Sequence, residues 1–261
     1  QTPGFSGADI ANVCNEAALI AARGGKRFVQ KDDFMNAVDR IIGGLEKRTR
    51  ITTAQERRSI AYHEAGHASI SWLLEYANPL VKVTIVPRGK ALGAAWYLPE
   101  ERQITTREQL LDEMCATLGG RAAEEIFLGA ISTGASNDLE RVTKQAYAMV
   151  TYFGMSDQLP NLNYYDSTGQ EWGFTKPYSE ETARLIDKEV QKIINEQYDR
   201  ARTILRDNAA KHNQLAEKLL ECEVIYSEDL EKIFGKRPWA SRSEEIMEQQ
   251  AADASTTAPH A

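Results

Sequence analysis

Apolar side chains recur at intervals of three and four over most of this chain, and at intervals of two in only one region. Ile10, Val13, Cys14, Ala17 and Ile20 or Ala21 form a stripe that predicts a helix over 6–24. Ser6 is a suitable N-cap with Asp9 three residues on, and Gly24-Gly25 stops the run. Phe34, Val38, Ile41 and Ile42 predict a second inward face on a helix over about 31–42, ended by Gly43-Gly44. The basic stretch LEKRTRIT reads as a linker. Thr53-Ala54-Gln55-Glu56 is a capping box opening a long helix over about 54–76, which Asn78-Pro79 ends. LVKVTIVP, residues 80–87, alternates as a strand does, with Val81, Val83 and Ile85 on one face. RGKALG is a turn and AAWYLP a second short strand. A further capping box, Thr105-Thr106-Arg107-Glu108, opens a helix that runs to about 128. Its interior Gly119-Gly120 costs roughly 1 kcal/mol per glycine relative to alanine, which implies close packing against another backbone. STGASNDLERVTKQAYAMVTYFG reads as a loop and then a helix, and 157–176 as a surface loop. Residues 179–235 are helical in two or three pieces, broken near Asp207-Asn208 and Val224-Ile225-Tyr226. The polar, small-residue stretch from about Ser241 reads as disordered. The expected fold class is mainly α with a small β-hairpin or sheet.

Composition narrows the classes. Apolar content is 42% and charged content 26% over 261 residues, ordinary for a soluble globular protein. The net charge of −7 makes nucleic acid a poor partner. No apolar run approaches 18 residues, so no membrane-spanning helix is expected in this stretch. The chain opens mid-pattern without a start Met and reads as a fragment. Three well-separated cysteines, Cys14, Cys115 and Cys222, form no C-x-x-C and point to buried thiols in a reducing compartment.

The candidate chemistry lies in SIAYHEAGHASI, within the third predicted helix. His63 and His67, at i and i+4, project from one helix face and can reach one tetrahedral ion at about 2.0–2.1 Å. Glu64 between them is placed to take a proton from water as a general base. Ile60, His63, Glu64, His67 and Ser71 share that face, and Ala65, Gly66 and Ala68 allow close approach by other backbone. A catalytic zinc needs a third protein ligand and an open position. The extended H-E-x-x-H-x-x-G-x-x-H form fails, since Ile70 and Leu73 stand at the Gly and His positions. His212 and His260, one in an amphipathic helix and one in the tail, are poor candidates. Carboxylates in RAAEEI (Glu124, Glu125) or STGASNDLE (Asp138) fit better.

TPGFSGADIANVCNEAALIAARGGKRFV, AYHEAGHA, KVTIVPRGKALG, GGRAAEEI and STGASNDLERVT occur in that order. Together they resemble the FtsH family of membrane-anchored AAA zinc metalloproteases over about residues 2–235. The resemblance implies that Asp138 is the third zinc ligand and that Glu124 lies near the zinc as the partner of a ligating histidine, with Glu125 in solvent. It implies that residues 93–98 pair with a substrate main chain as an added strand. It further implies a helical AAA lid over 1–45, a linker over 46–53, a zinc metallopeptidase domain over 54–238 and a disordered tail over 239–261. Gly7 and Ala8 of FSGAD would pack near the adenine of ATP on a nucleotide domain. No G-x-x-x-x-G-K-[ST] occurs in these residues, so ATP and Mg2+ are expected to serve the full-length parent only. The parent is expected to be a homo-hexameric, ATP-dependent endopeptidase that degrades membrane and soluble polypeptides. Its membrane helices would lie outside this segment. It would sit in a bacterial inner membrane with the protease facing the cytoplasm, or in the mitochondrial inner membrane. Gly43-Gly44 would be the joint between ring and protease. The rival expectation is a non-catalytic assembly scaffold with a structural zinc site, against which an intact Glu64 argues.

Overall fold

In the computed structural model, residues 5–44, 53–87, 93–97, 104–164 and 177–239 are described. The expected linker over 46–53 apart from Thr53, the turn at 88–93 apart from Gly93, Leu98 and Pro99 of the second strand, the loop at 157–176 from 165 on, the tail from 240 with His260, and the side chain of Ile42 lie outside them. The chain is mainly α with one small antiparallel sheet. It divides into two compact units: Gln1–Ala61, Asn78–Gln103 and Lys218–Ala261 form one, Tyr62–Ala77 and Ile104–Glu217 the other.

The first unit holds α1 (Gly7–Arg23) and α2 (Lys31–Gly43). Ser6 caps α1 through Asp9 N–H, and the Asp9 carboxylate accepts from Ser6 N–H at 2.9 Å. The buried stripe of α1 is Val13, Ala17 and Ala21, spaced by four. Cys14 and Ile10, expected inside, are exposed. On α2 the buried apolar residue is Ala37, and Phe34 is exposed. Asp33 is buried instead, paired with Lys26 at 2.7 Å. The sheet runs in the order β2-β1-β3, with β1 Leu80–Thr84, β2 Ala94–Tyr97 and β3 Val224–Tyr226. The third strand was expected only as a break between helices. Glu223 at φ 62 turns the chain there, and β-favouring Val-Ile-Tyr then pairs with β1. Both faces of β1 are covered: Val83 is fully buried, and on the other face Lys82 is buried too, ion-paired with Asp39 and 5.0 Å from the Trp96 ring. That ion pair is why the alternation of apolar residues understates the burial of this strand.

The second unit carries the candidate chemistry. From Ala61 to Trp72 every residue of α3 (Ala54–Leu73) is buried. α4 (Arg107–Ala123) is capped by Thr106 with Gln109, one position later than the Thr105–Glu108 box, and ends in a π-helical turn at Glu124–Leu128. α5 (Ser136–Thr151) follows a short 3-10 turn at Thr133–Ala135. α6 (Glu180–Asp207) and α7 (Ala209–Cys222) come next, and α8 (Ser227–Phe234) belongs to the first unit. A core of Met114, Leu118, Met149, Ile186 and their neighbours joins α4, α5 and α6. α3 meets α4 backbone to backbone: a Cβ on Gly66 would stand 2.3 Å from the Gly119 carbonyl oxygen. Gly119 therefore packs against another backbone, as the cost of the pair in a helix implied. Of the cysteines, Cys115 is buried and burial pushes its thiol up to about 12; Cys222, like Cys14, is exposed, contrary to the expected burial. Among the described residues no helix is long and apolar enough to cross a membrane.

Candidate metal centre

His63 and His67 leave α3 on the same side, and each has its outer nitrogen fixed. His67 Nδ1 lies 2.9 Å from the Ala116 carbonyl oxygen, which can only accept, so Nδ1 carries the proton. His63 Nδ1–H donates to Glu124 Oε1 at 2.8 Å. A neutral ring at each position would then turn an Nε2 lone pair inward. The two Nε2 atoms are 3.1 Å apart, and Asp138 Oδ2, from the first turn of α5, lies 3.2 Å from one and 3.6 Å from the other. Three lone-pair atoms facing one point without a donor among them repel unless a proton or a cation sits between them. A tetrahedral ion bonded at about 2.0–2.1 Å separates its ligand atoms by about 3.3–3.4 Å, so the donor set fits zinc in spacing and in type. Among the described residues this is the group of three able to hold a metal ion.

Electrostatics follow the same geometry. Burial alone would lower the His63 pKa, but the Asp138 and Glu124 carboxylates outweigh it and hold it above the usual range in the metal-free chain. Burial raises Asp138 and Glu124, yet the histidines, together with Ser132 at Glu124, pull both carboxyls below theirs. Glu64 is buried on α3, and that burial pushes its carboxyl up against the opposing pull of His67 and His63.

The structure thus brings His63, His67, Asp138, Glu124 and Glu64 into one neighbourhood. Gly7 and Ala8 open α1 and are exposed. Glu125, expected in solvent, accepts from the Tyr198 hydroxyl and pairs with Arg202 at 3.2 Å. His212 is no part of the cluster. It is fully buried, with Nδ1 3.2 Å from Ser69 Oγ and its ring stacked on Phe127 at 4.3 Å. Two contributors escaped the sequence reading. The Ala116 carbonyl has no side-chain signature. Ser132, which donates to both Glu124 oxygens, sits in a loop whose Asp138 drew the attention.

A mostly helical fold carrying this donor set defines a zinc metallopeptidase domain. The chain belongs to peptidase family M41, which matches residues 50–233. Residues 1–36 match the AAA+ lid domain. It is 83% identical over 250 residues to the ATP-dependent zinc metalloprotease FtsH of Parabacteroides distasonis, covering 96% of this chain and 36% of that protein. The FtsH of Rhodothermus marinus is 57% identical, covering 92% of this chain and 35% of its own. The mouse mitochondrial inner membrane m-AAA protease component AFG3L2 is 49% identical, covering 95% and 31%. The chain therefore spans about a third of the length of the curated relatives it matches.

Proposed function

We propose that this chain is the zinc-dependent endopeptidase domain, with part of the AAA lid, of an ATP-dependent membrane-anchored protease. The observation that carries the reading is the convergence of two tautomer-fixed Nε2 atoms and Asp138 Oδ2 beside the buried Glu64. His63, His67 and Asp138 hold zinc, which when bound supplies a Lewis acid for the scissile carbonyl and lowers the pKa of water. Glu64 takes the proton of the attacking water and returns it to the leaving amine. Glu124 and the Ala116 carbonyl orient the imidazoles and take no part in bond making. β2, hydrogen-bonded among the described residues only to β1, offers an edge on which a substrate main chain can add as a strand along the expected segment 93–98, of which 98 lies outside the described residues.

The finer assignments rest on the resemblance and on the lid match. Residues 1–45 serve as lid, 46–53 as linker, 54–238 as peptidase and 239–261 as tail. Gly44, at φ 80, gives the joint after α2 its freedom. Gly7 and Ala8 approach adenine in the full-length protein, where ATP and Mg2+ drive a homo-hexameric ring. That ring unfolds membrane and soluble polypeptides at a bacterial inner membrane with the protease facing the cytoplasm, the mitochondrial inner membrane being the alternative. Chelator-sensitive casein cleavage by the chain, at one zinc per chain, tests the enzymatic core of the proposal. Cleavage unaffected by metal removal overturns it.

A further inference from the structure

The loop that delivers Asp138 is held by a single serine. α5 begins at Ala135 with no side-chain cap, although Asp138 stands three residues on, where a carboxylate commonly turns back to the helix start. Asp138 faces the two imidazoles instead, so the loop needs another anchor. Ser132 uses every polar atom it has. Its N–H donates to Glu124 Oε2 at 2.7 Å, and its hydroxyl donates to Glu124 Oε1 at 2.9 Å. The same Oγ accepts from Gly134 N–H at 3.1 Å, and its carbonyl accepts from Arg121 Nη1 at 3.1 Å. Gly134 is tight against this knot: a Cβ there would sit 3.1 Å from Ser132 Oγ and 3.6 Å from Glu124 Oε1.

Glu124 Oε1 is the shared point. It accepts at once from the Ser132 hydroxyl and from His63 Nδ1–H. Fixing that oxygen fixes the orientation of one imidazole, and the same hydroxyl shapes the 3-10 turn that leads into Asp138. We propose that Ser132 is a positioning residue for the metal, setting two of the three ligand atoms from opposite sides through Glu124 and through its own loop. The inference rests on the zinc reading above. Alanine at 132 keeps the main-chain donor, so the loop stays attached. It leaves the Gly134 N–H without its acceptor and the Glu124 carboxylate one donor short, and both ligands gain freedom. Ser132 is exposed with extended backbone (φ −117, ψ 172), so threonine restores the hydroxyl without strain.

The test is the zinc dissociation constant of the folded chain, measured by competition with a chromophoric chelator, beside the thermal midpoint of the metal-free chain. Ser132→Ala is expected to weaken zinc about tenfold, the low end of what loss of an outer partner of a metal ligand costs. Ser132→Thr is expected to recover the wild-type constant, and Ser136→Ala, at the start of α5, to match it. A Ser132→Ala constant within twofold of wild type, with only the thermal midpoint lowered, makes the serine structural and overturns the inference. Equal weakening by Ser136→Ala overturns it too. A wild-type chain that takes up no zinc defeats the metal reading itself, which keeps the two failures apart.

Discussion

Gly120 of α4 lies so close to His63 that a Cβ built on it would stand 2.5 Å from His63 Nε2, and 2.7 Å from His67 Nε2. No real Cβ takes up such a contact, and the atoms it would meet are the lone-pair nitrogens of the metal centre. Helix α4 thus forms a wall of the site by having no side chain there. Gly120→Ala is expected to cost about 1–3 kcal/mol in overpacking and to abolish stoichiometric zinc binding by pushing the imidazoles apart. Gly24→Ala, whose Cβ would meet nothing nearer than 3.5 Å, should leave zinc unchanged. Bound metal per chain measured after dialysis decides it, and a fully loaded Gly120→Ala protein would refute the close approach.

The sequence announced that two glycines in one helix must face something, but not what. Gly119 meets the backbone of Gly66, and Gly120 meets imidazoles, a distinction that depends on the rotation of α4 against α3. His63, Glu64 and His67 were legible because their spacing is local to one helix. Asp138 stood beside Glu124 and Glu125 as a candidate, and only the resemblance singled it out, since its approach depends on a loop closing across distant elements. The burial of Lys82 was hidden because its partner Asp39 lies far away in the sequence. Periodicity within an element survives in the sequence; pairing between elements is written in too few residues to be read from one chain.

Removal of the two carboxylates should separate ligand from orienter. Asp138→Ala takes away one of three donor atoms and should leave no zinc after dialysis against a mild chelator. Glu124→Ala keeps the three donors but frees His63 Nδ1 and Ser132, and should weaken zinc by about 10- to 100-fold. Metal analysis alongside chelator competition reads both. The opposite order of severity would exchange their roles.

Glu64→Gln should retain zinc at wild-type affinity, because the side chain orients no ligand in the structure. Peptide hydrolysis should fall by at least 10²- to 10⁴-fold, the usual range for a lost general base. The variant should also resist heat at least as well as wild type, since an amide carries no charge to desolvate at this buried position. Casein cleavage per bound zinc is the measurement, and turnover that survives the substitution would remove Glu64 from the chemistry.

His212 gives the fold an acid sensitivity of its own. Its ring is fully buried, stacked on Phe127 and edge-on to Tyr62 at 5.7 Å, and burial lowers its pKa from 6.5 to about 4. Between those values the unfolded chain holds a proton that the folded chain refuses, so stability falls as pH drops through that window and is independent of this residue above it. From pH 7 to pH 5 the loss amounts to about 2 kcal/mol. His212→Phe keeps the aromatic contact and removes the titration. Urea unfolding of both proteins at the two pH values, at equal metal loading, should show the wild type losing about 2 kcal/mol more than the variant. Equal losses would mean that His212 accepts its proton in the folded state, and that the ring is less sealed than its contacts indicate.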